Sequence, residues 1–545
     1  MTAPAPRQAT LLAGPRPAIL RAALAGRPPG ADTLWIGGPH HDAPHANRIV
    51  GRELRAVVVD PRDGVDANRL GAALGAVGSG GELLWLDVPA DPPRPSIDRF
   101  RRLLLAAARR DGTVRVSTPE QWRPAARPLA NSLSDPAEPC SEAQQEAVAA
   151  IRATLLEAPG ILALRADRGR GKSAALGLAA ADALAALPPD ARIAVTAAQP
   201  SGSATLLAHA RARCERLGVD AGRLRFVDPE ALGAGRALPS RLIVDEAATL
   251  GGPELLRLAR DVEHLVLATT EHGYEGTGQA FRLRLLPALE ALGERPLRQQ
   301  RLFTPLRWPP GDPLERLAAQ LLLLDAEAAR PAAADRAAGR VSAETLAGDE
   351  QRLAAVYGLL REAHYQTRPA DLLRMLDDAA VSVWQAGADH APAACALTIE
   401  EGGLSRELAS AMVRGERRPR GQLGAGILAE RLGFEAGARL RSVRIQRIAV
   451  HASLRRRGIG ARLIATLRSE AAARGVDLLT SSFGDSAETR RFWGACGFVP
   501  LRLGERAERA SGRRALFVAA GISDAGHALV REAAAHFRPP QESGR

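Results

Sequence analysis

This chain of 545 residues has almost no lysine. Lys172 is the only one; every other of its 73 basic side chains is arginine. Arginine serves wherever any positive charge will do, so position 172 is one that a guanidinium does not satisfy. Lysine is a compact charge with three rotatable donors, whereas arginine is a wide planar fork. Aromatic residues are scarce too, at 3%, so the cores have to be built mostly from Leu, Ala and Val. The four cysteines, Cys140, Cys214, Cys395 and Cys496, lie far apart. Their spacing excludes a disulfide framework and a zinc-ligand pattern and points to a reducing compartment. No run of 18 apolar residues occurs, so no membrane span is expected. The Arg-rich N-terminus has no acid before Asp32, but prolines break its apolar stretch and no signal-type core forms. The expected location is cytoplasmic.

What is present is positive charge. A net charge of +12 and a pI near 10.7 favour an anionic partner, most commonly nucleic acid. The length calls for several domains. Residues 1–118 carry the strand-like runs Leu34–Ile36, Ala56–Val59 and Leu83–Leu86. A helical pattern from Asp66 to Val77, closing at Gly80-Gly81, separates the last two. This punctuation predicts a small parallel sheet, a Rossmann-like accessory domain. His40, His41 and His45 cluster without a carboxylate or cysteine at ligand spacing, which reads as a solvated loop. A Pro-rich stretch, 119–141, reads as a linker. Helix and strand then alternate to about 325. A low-complexity stretch, 326–347, is expected to open with a fraying helix. A third α/β region runs to about 500, followed by an Arg-bearing tail with a helical segment near Ser523–His536.

Lys172 lies in Ala-Asp-Arg-Gly-Arg-Gly-Lys-Ser, residues 166–173, between the apolar run Leu162–Leu164 and a strong helical pattern from Ala174. Strand, glycine loop and helix are the context of a P-loop. Gly169 and Gly171 let backbone N–H groups turn toward phosphates, Lys172 reaches between them, and Ser173 holds Mg²⁺. The first motif position is Ala166 instead of Gly, which is tolerable where φ stays negative. Downstream, Leu242-Ile243-Val244-Asp245-Glu246 is an apolar strand ending in two acids. Asp245 is expected to bind Mg²⁺ through water and Glu246 to orient the attacking water. Ser141-Glu142-Ala143-Gln144 opens a helix with a capping pattern; Gln144 either reads an adenine edge or is an ordinary helix-start glutamine. Arg307, in Pro305-Leu306-Arg307-Trp308, is a candidate for stabilising γ-phosphoryl charge.

A second strand–loop–helix unit follows. Val443–Val450 alternates as a strand, Arg455-Arg456-Arg457-Gly458-Ile459-Gly460 forms an R-x-x-G-x-G loop, and a helix runs from Ala461 to Ala473. Such a loop suits a pyrophosphate lying on backbone amides at a helix start. The strand Asp477–Phe483, the helical Glu488–Cys496 and the phrase Cys496-Gly497-Phe498 come next. This order resembles the GNAT acetyltransferase signature. That fold implies backbone N–H groups near Ile448, Ala449 and Val450 that polarise a thioester carbonyl. The tyrosine that many such enzymes use to protonate the departing thiolate is missing: Phe492-Trp493 occupies that helix, and Tyr274, Tyr357 and Tyr365 lie elsewhere. For Glu488 and His451 the plain reading is an exposed structural role.

The pairing of the two units, with the phrases Ile243–Ala248, Gly273–Gly278, Pro305–Trp308, Gly311–Leu314, His364–Pro369, Arg417–Gly421, Arg447–Val450, Arg491–Trp493 and Cys496–Phe498, resembles the bacterial tRNA(Met) cytidine acetyltransferase family over nearly the full length. The resemblance implies an α/β multidomain chain. Its parts are a Rossmann-like accessory domain (1–118), a RecA-like, helicase-type P-loop ATPase domain (119–335), a GNAT domain (345–500) and a C-terminal tRNA-binding tail (501–545). It implies N4-acetylation of the wobble cytidine of elongator methionine tRNA, using acetyl-CoA, ATP and Mg²⁺. Gln144, Gly169, Arg170, Gly171, Lys172, Ser173, Asp245 and Arg307 are then the ATP residues. Ile448, Ala449, Val450, Arg455, Arg456, Arg457, Gly458, Ile459, Gly460, Ala461 and Glu488 are the acetyl-CoA residues. Ala495 and Gln422 depart from the family, which often has a basic residue at the first position and a histidine at the second.

A cytosine amine is a poor nucleophile whose base is stacked, so acetylation needs the base extruded and held. Arg414, Arg417, Arg418 and Arg420, with Arg502, Arg506, Arg509, Arg513 and Arg514, are the set expected to track RNA backbone. No obligate protein partner is evident. The alternative is a nucleic-acid motor whose GNAT module acts on protein or only binds.

Overall fold

The structure is a computed structural model describing residues 4–49, 52–125, 135–233, 235–273, 276–331, 337–364, 367–508 and 512–538. Tyr274, Tyr365 and Arg509 lie outside the described residues. The chain forms two compact units, residues 1–325 with 366–371, and residues 326–365 with 372–545.

The first unit holds two parallel sheets. In the N-terminal one, β1 (Gln8–Leu12), β2 (Thr33–Ile36), β3 (Leu54–Val59), β4 (Val77–Leu86) and β5 (Val114–Ser117) stand in the order β2-β3-β4-β1-β5. The expected parallel sheet is present with two further strands, β1 and β5. The helical segment ends earlier than its pattern suggested, at Leu74, and Gly80-Gly81 lie inside β4. The register of β3 against β4 shifts there, and a Cβ on Gly81 would come within 2.7 Å of the Arg55 carbonyl oxygen. These glycines therefore allow a close strand approach and do not end a helix.

The second sheet runs β11-β6-β10-β9-β7-β8, with β6 (Gly160–Ala166), β7 (Ile193–Thr196), β8 (Leu224–Phe226), β9 (Arg241–Val244), β10 (His264–Thr270) and β11 (Leu297–Leu302). Its inner strands β6, β7, β9 and β10 are mostly apolar because both faces are covered, whereas the edge strands β8 and β11 are not. Leu162 and Leu164 of β6 pack into a cluster with α1 (Glu142–Leu156) and α2 (Lys172–Ala186). Ile161 and Ala163 face the opposite cluster. A further helix, α3 (Pro313–Leu322), is capped by Asp312, whose carboxylate accepts from the Glu315 N–H.

The second unit is built on a seven-stranded sheet in the order β12-β13-β14-β15-β16-β18-β17. The strands are β12 (Gly339–Val341), β13 (Val381–Ala388), β14 (Ala391–Gly402), β15 (Arg441–Val450), β16 (Leu478–Gly484), β17 (Val499–Ala507) and β18 (Arg514–Gly521). All neighbours are antiparallel except β15 and β16, which pair in parallel only from Ser442–Ile445 to Leu478–Ser481. Beyond that point the two strands part.

Three expectations on domain limits are corrected. The unit holding the first two sheets closes at 325 instead of 335, and the next opens at 326 instead of 345, because β12 is the edge strand of the third sheet. The stretch from 501 is not a tail: β17 and β18 belong to that sheet, and α6 (Asp524–Ala535) packs Leu529, Val530 and Ala533 against Leu478, Phe517 and Ala519. No helix opens the 326–347 stretch among its described residues.

Candidate functional site

Two helix starts carry the candidate chemistry, one in each unit, and they share a design. Helix α2 begins after Gly171 (φ 76) and α4 (Ile459–Ala473) after Gly458 (φ 74); neither glycine supplies a side-chain cap. A left-handed residue at the cap is easy only for glycine. The first-turn N–H groups, which have no partner inside their own helix, thereby stay open to an anion.

At α2, β6 delivers the loop. Ala166 is the last residue of β6, buried, and not among the positive-φ residues, so alanine is accommodated at the first motif position. Gly169 turns with φ 81. The Lys172 ammonium is bonded to the Asp245 carboxylate and lies 3.3 Å from Glu246 Oε1. Ser173 Oγ donates to Asp245 Oδ2 at 2.7 Å. Asp245 is fully buried just past β9, and the Glu246 N–H donates to its Oδ1. Glu246 itself is held at φ 50, a left-handed value uncommon for glutamate. Burial pulls the Lys172 ammonium down, but Asp245 and Glu246 outweigh it and hold Lys172 above the ordinary lysine value. Burial pushes Glu246 up, and Lys172 and then Arg168 overcome that, leaving it below the ordinary carboxylate range. Sequence reasoning missed Thr270, whose hydroxyl donates to Glu246 at 3.3 Å from the end of β10. Its signal was a polar Thr-Thr-Glu ending on an otherwise apolar run.

Three expected residues take more specific positions. The buried Gln144 bridges: its Oε1 accepts from the Cys140 N–H at 2.6 Å and its Nε2 donates to the Gly171 carbonyl at 3.1 Å. It thus ties the start of α1 to the loop. The Arg170 side chain turns into the protein, bonded to the Phe303 and Arg168 carbonyls and paired with Glu315. That guanidinium is thus engaged within the protein. Arg307 makes no hydrogen bond or ion pair to a described residue. Burial first, then Arg168, lowers its pKa from the ordinary arginine value, with Glu53 opposing. A guanidinium does not give up its proton near neutral pH, so Arg307 stays charged.

At α4 the parting of β15 from β16 frees one edge of Gln446–Val450, while β14 pairs the other edge through Ile448 and Val450. Arg455, Arg456, Arg457, Gly458 and Ala461 are exposed, with Arg456 at φ 62; Ile459 and Gly460 are buried. A Cβ on Gly460 would lie 3.1 Å from Phe492 and 3.3 Å from Val450, so glycine lets α4 approach β15 and α5 (Ala487–Ala495). Glu488 stands exposed in the first turn of α5. His451 caps a short turn by accepting from the Ser453 N–H, which agrees with a structural role. Gln422 Oε1 accepts from the Gly402 N–H at 2.7 Å, so this departure from the family has a partner in β14. Sequence reading missed Glu401. This carboxylate is buried, pairs with Arg444 at 2.6 Å and accepts from the Gly424 N–H at 2.6 Å, just below the parting of the strands.

Arg414, Arg417, Arg418 and Arg420 are exposed, with Arg414 paired to Glu416 and Arg418 to Glu430. Arg506 is exposed on β17, while Arg514 donates to the Gly504 carbonyl and Arg513 to the Asp485 carbonyl. No helix among the described residues is long and apolar enough to cross a membrane.

Known proteins match this architecture part by part. The family of the tRNA(Met) cytidine acetyltransferase TmcA N-terminal region matches residues 16–115. That of the RNA cytidine acetyltransferase NAT10/TcmA helicase domain matches 163–325, and GNAT acetyltransferase 2 matches 355–470. The chain is 34% identical to the tRNA(Met) cytidine acetyltransferase TmcA of Nitrosococcus halophilus, over 97% of this chain and 77% of that one. It is 37% identical to the TmcA of Citrobacter koseri, over 94% and 76%. Among solved structures, the ribosomal-protein-S18-alanine N-acetyltransferase of Escherichia coli aligns with 34% of this chain and 94% of its own, at 17% identity and a TM-score of 0.24, a likeness too weak to carry weight. Two helix-start cradles in one chain, and relatives that match nearly its whole length, lead to one conclusion: the chain belongs to the tRNA(Met) cytidine acetyltransferase family.

Proposed function

We propose that this protein acetylates N4 of the wobble cytidine in the anticodon of elongator tRNA(Met), with ATP turnover in the first unit serving RNA rearrangement for acetyl transfer in the second. The observation that carries the reading is the pair of glycine-capped helix starts, one backed by Lys172 and two acids, the other beside a parted strand pair. Acetyl-CoA supplies the acetyl group as a thioester and ATP the free energy of phosphoryl transfer. The loop 166–173 cradles phosphates through its N–H groups, Lys172 supplies the compact charge, and Ser173 with Asp245 are the donors for Mg²⁺. Glu246 orients water and Arg307 steadies phosphoryl charge. On the other unit the Arg455–Ala461 loop takes the pyrophosphate, and N–H groups of Ile448–Val450 face the thioester carbonyl. Exposed Arg417, Arg418 and Arg420 offer charge to the RNA backbone. The protein works in the cytoplasm.

The test is direct. The protein is incubated with total tRNA, ATP and labelled acetyl-CoA, the elongator tRNA(Met) is isolated and digested to oligonucleotides, and mass spectrometry locates the acetylated nucleoside. N4-acetylcytidine at the methionine anticodon supports the reading. Label on protein, or strand separation with no acetylated nucleoside, favours the motor alternative and sinks it.

A further inference from the structure

Arg7 stands next to β1 of the N-terminal sheet, yet it is bonded to the far end of the ATPase sequence. Its backbone N–H donates to Asp312 Oδ2 at 2.9 Å and its Nε to Asp312 Oδ1 at 2.9 Å. A second guanidinium nitrogen donates to the Leu74 carbonyl at 2.9 Å. Arg7 and Asp312 are both buried. A buried pair of this kind is weak evidence for stability, because desolvation of both charges offsets their attraction. What the pair fixes is position.

The guanidinium carbon of Arg7 lies over the Trp308 ring, 3.6 Å from its centroid. That is a close cation–π contact of arginine with an indole. The far edge of the same ring meets the phosphate loop: a Cβ on Gly169 would fall 2.6 Å from its Cη2 and 2.8 Å from its Cζ2. The Leu306 N–H donates to the Gly169 carbonyl at 2.8 Å. The indole Nε1 donates to Glu315 at 3.0 Å, and the other oxygen of Glu315 holds Arg170 of the loop. Asp312 caps the helix that carries Glu315. A continuous chain of packed and hydrogen-bonded groups therefore runs from Arg7 through Trp308 to Gly169, and from Asp312 through Glu315 to Arg170.

We propose that Arg7 is a positioning residue of the ATP site: by stacking on Trp308 it presses that ring against Gly169 and sets the conformation of the phosphate loop. The N-terminal domain is thereby a structural part of the nucleotide site. This inference rests on the reading of 166–173 as an ATP loop. Misplacing a supporting group by a fraction of an ångström loosens a site without unfolding it.

The experiment is a double-mutant cycle on the full chain with Trp308→Phe and Arg7→Lys, reading kcat and KM for ATP by phosphate release. Trp308→Phe leaves an aromatic ring under Arg7 but withdraws the atoms that meet Gly169 and the Nε1 donor. Arg7→Lys keeps a charge for Asp312 and loses the planar stack. The expected result is that each single variant raises the ATP KM about tenfold, with kcat within about twofold, and that the double variant is no worse than the worse single. Acetyl-CoA affinity by calorimetry stays at the wild-type value. An unchanged ATP KM in Trp308→Phe, or fully additive effects, overturns the proposal. Should Arg7→Lys fail to fold, shown by loss of the wild-type thermal unfolding transition, Trp308→Phe decides alone. Failure of the wild-type protein to hydrolyse ATP would instead overturn the ATP-loop reading, and the proposal with it.

Discussion

Ser173 and Asp245 meet at 2.7 Å, hydroxyl to carboxylate, so the first turn of α2 and the end of β9 share one buried acid. Lys172 occupies the other oxygen of the same carboxylate. The glycine loop and the acidic strand end are thus one constellation, and the only lysine of the chain sits at its centre.

Lys172→Arg should therefore abolish ATP hydrolysis and tRNA acetylation. The wider guanidinium does not fit a site sealed by Asp245 and half-covered Glu246. A loss of about 100-fold or more in kcat is expected, the scale for removing one fixed charge-stabilising donor. Phosphate release measures it, and calorimetry with acetyl-CoA should give the wild-type affinity. A variant that still turns over ATP would remove the phosphate role from Lys172.

Glu246 makes a pH-dependent contribution. Its carboxyl is held below the ordinary value of 4.5 by Lys172 and Arg168, which outweigh the opposing effect of burial. A depressed acid contributes stability that is present above its unfolded pKa and lost as pH falls through the folded one. The melting temperature of the wild type should exceed that of Glu246→Gln at pH 7, and the gap should close below pH 4.5. A gap that is constant with pH would show that the charge does not matter there.

Gly458→Glu should block acetyl-CoA binding and leave ATP hydrolysis intact. The variant forces a non-glycine residue to φ 74, at a cost of about 1–2 kcal/mol, and puts an acid at an anion-binding helix start. Together these predict a loss of affinity of about tenfold to 100-fold. Calorimetry giving the wild-type value would count against the loop.

Glu401→Gln should destabilise the second unit by about 3 kcal/mol, because it strands the buried Arg444 without its counter-charge. Denaturant unfolding reads the loss. Adding Arg444→Met should recover most of it, since removing both charges lifts the desolvation cost. No recovery would mean that the carboxylate acts mainly through the Gly424 N–H.

Much of both sites was legible because each is local. Strand, glycine loop and helix lie within a dozen residues, and the alternation of apolar positions marks where each begins. Lys172, Ser173 and the Arg455–Ala461 loop needed nothing beyond that. Residues that act by long-range contact were harder to place. Gln144 was left between an adenine edge and an ordinary helix start, and only the fold shows that it bridges to the Gly171 carbonyl. Arg170 was grouped with the phosphate ligands, but its side chain turns toward Glu315. The stretch from 501 looked like a tail because β17 carries few apolar residues, as an edge strand does; only its pairing with β18 reveals it.

The amino-acid order by itself determined the family, the two phosphate-type loops and the alternation of strand and helix, since these depend on neighbours along the chain. Tertiary structure alone decided where polar groups at distant positions meet: Arg7 with Asp312, Glu401 with Arg444, Thr270 with Glu246. In a chain with so many arginines, composition cannot say which one is buried against which acid. That choice is made only when the sheets pack and water is excluded around particular pairs.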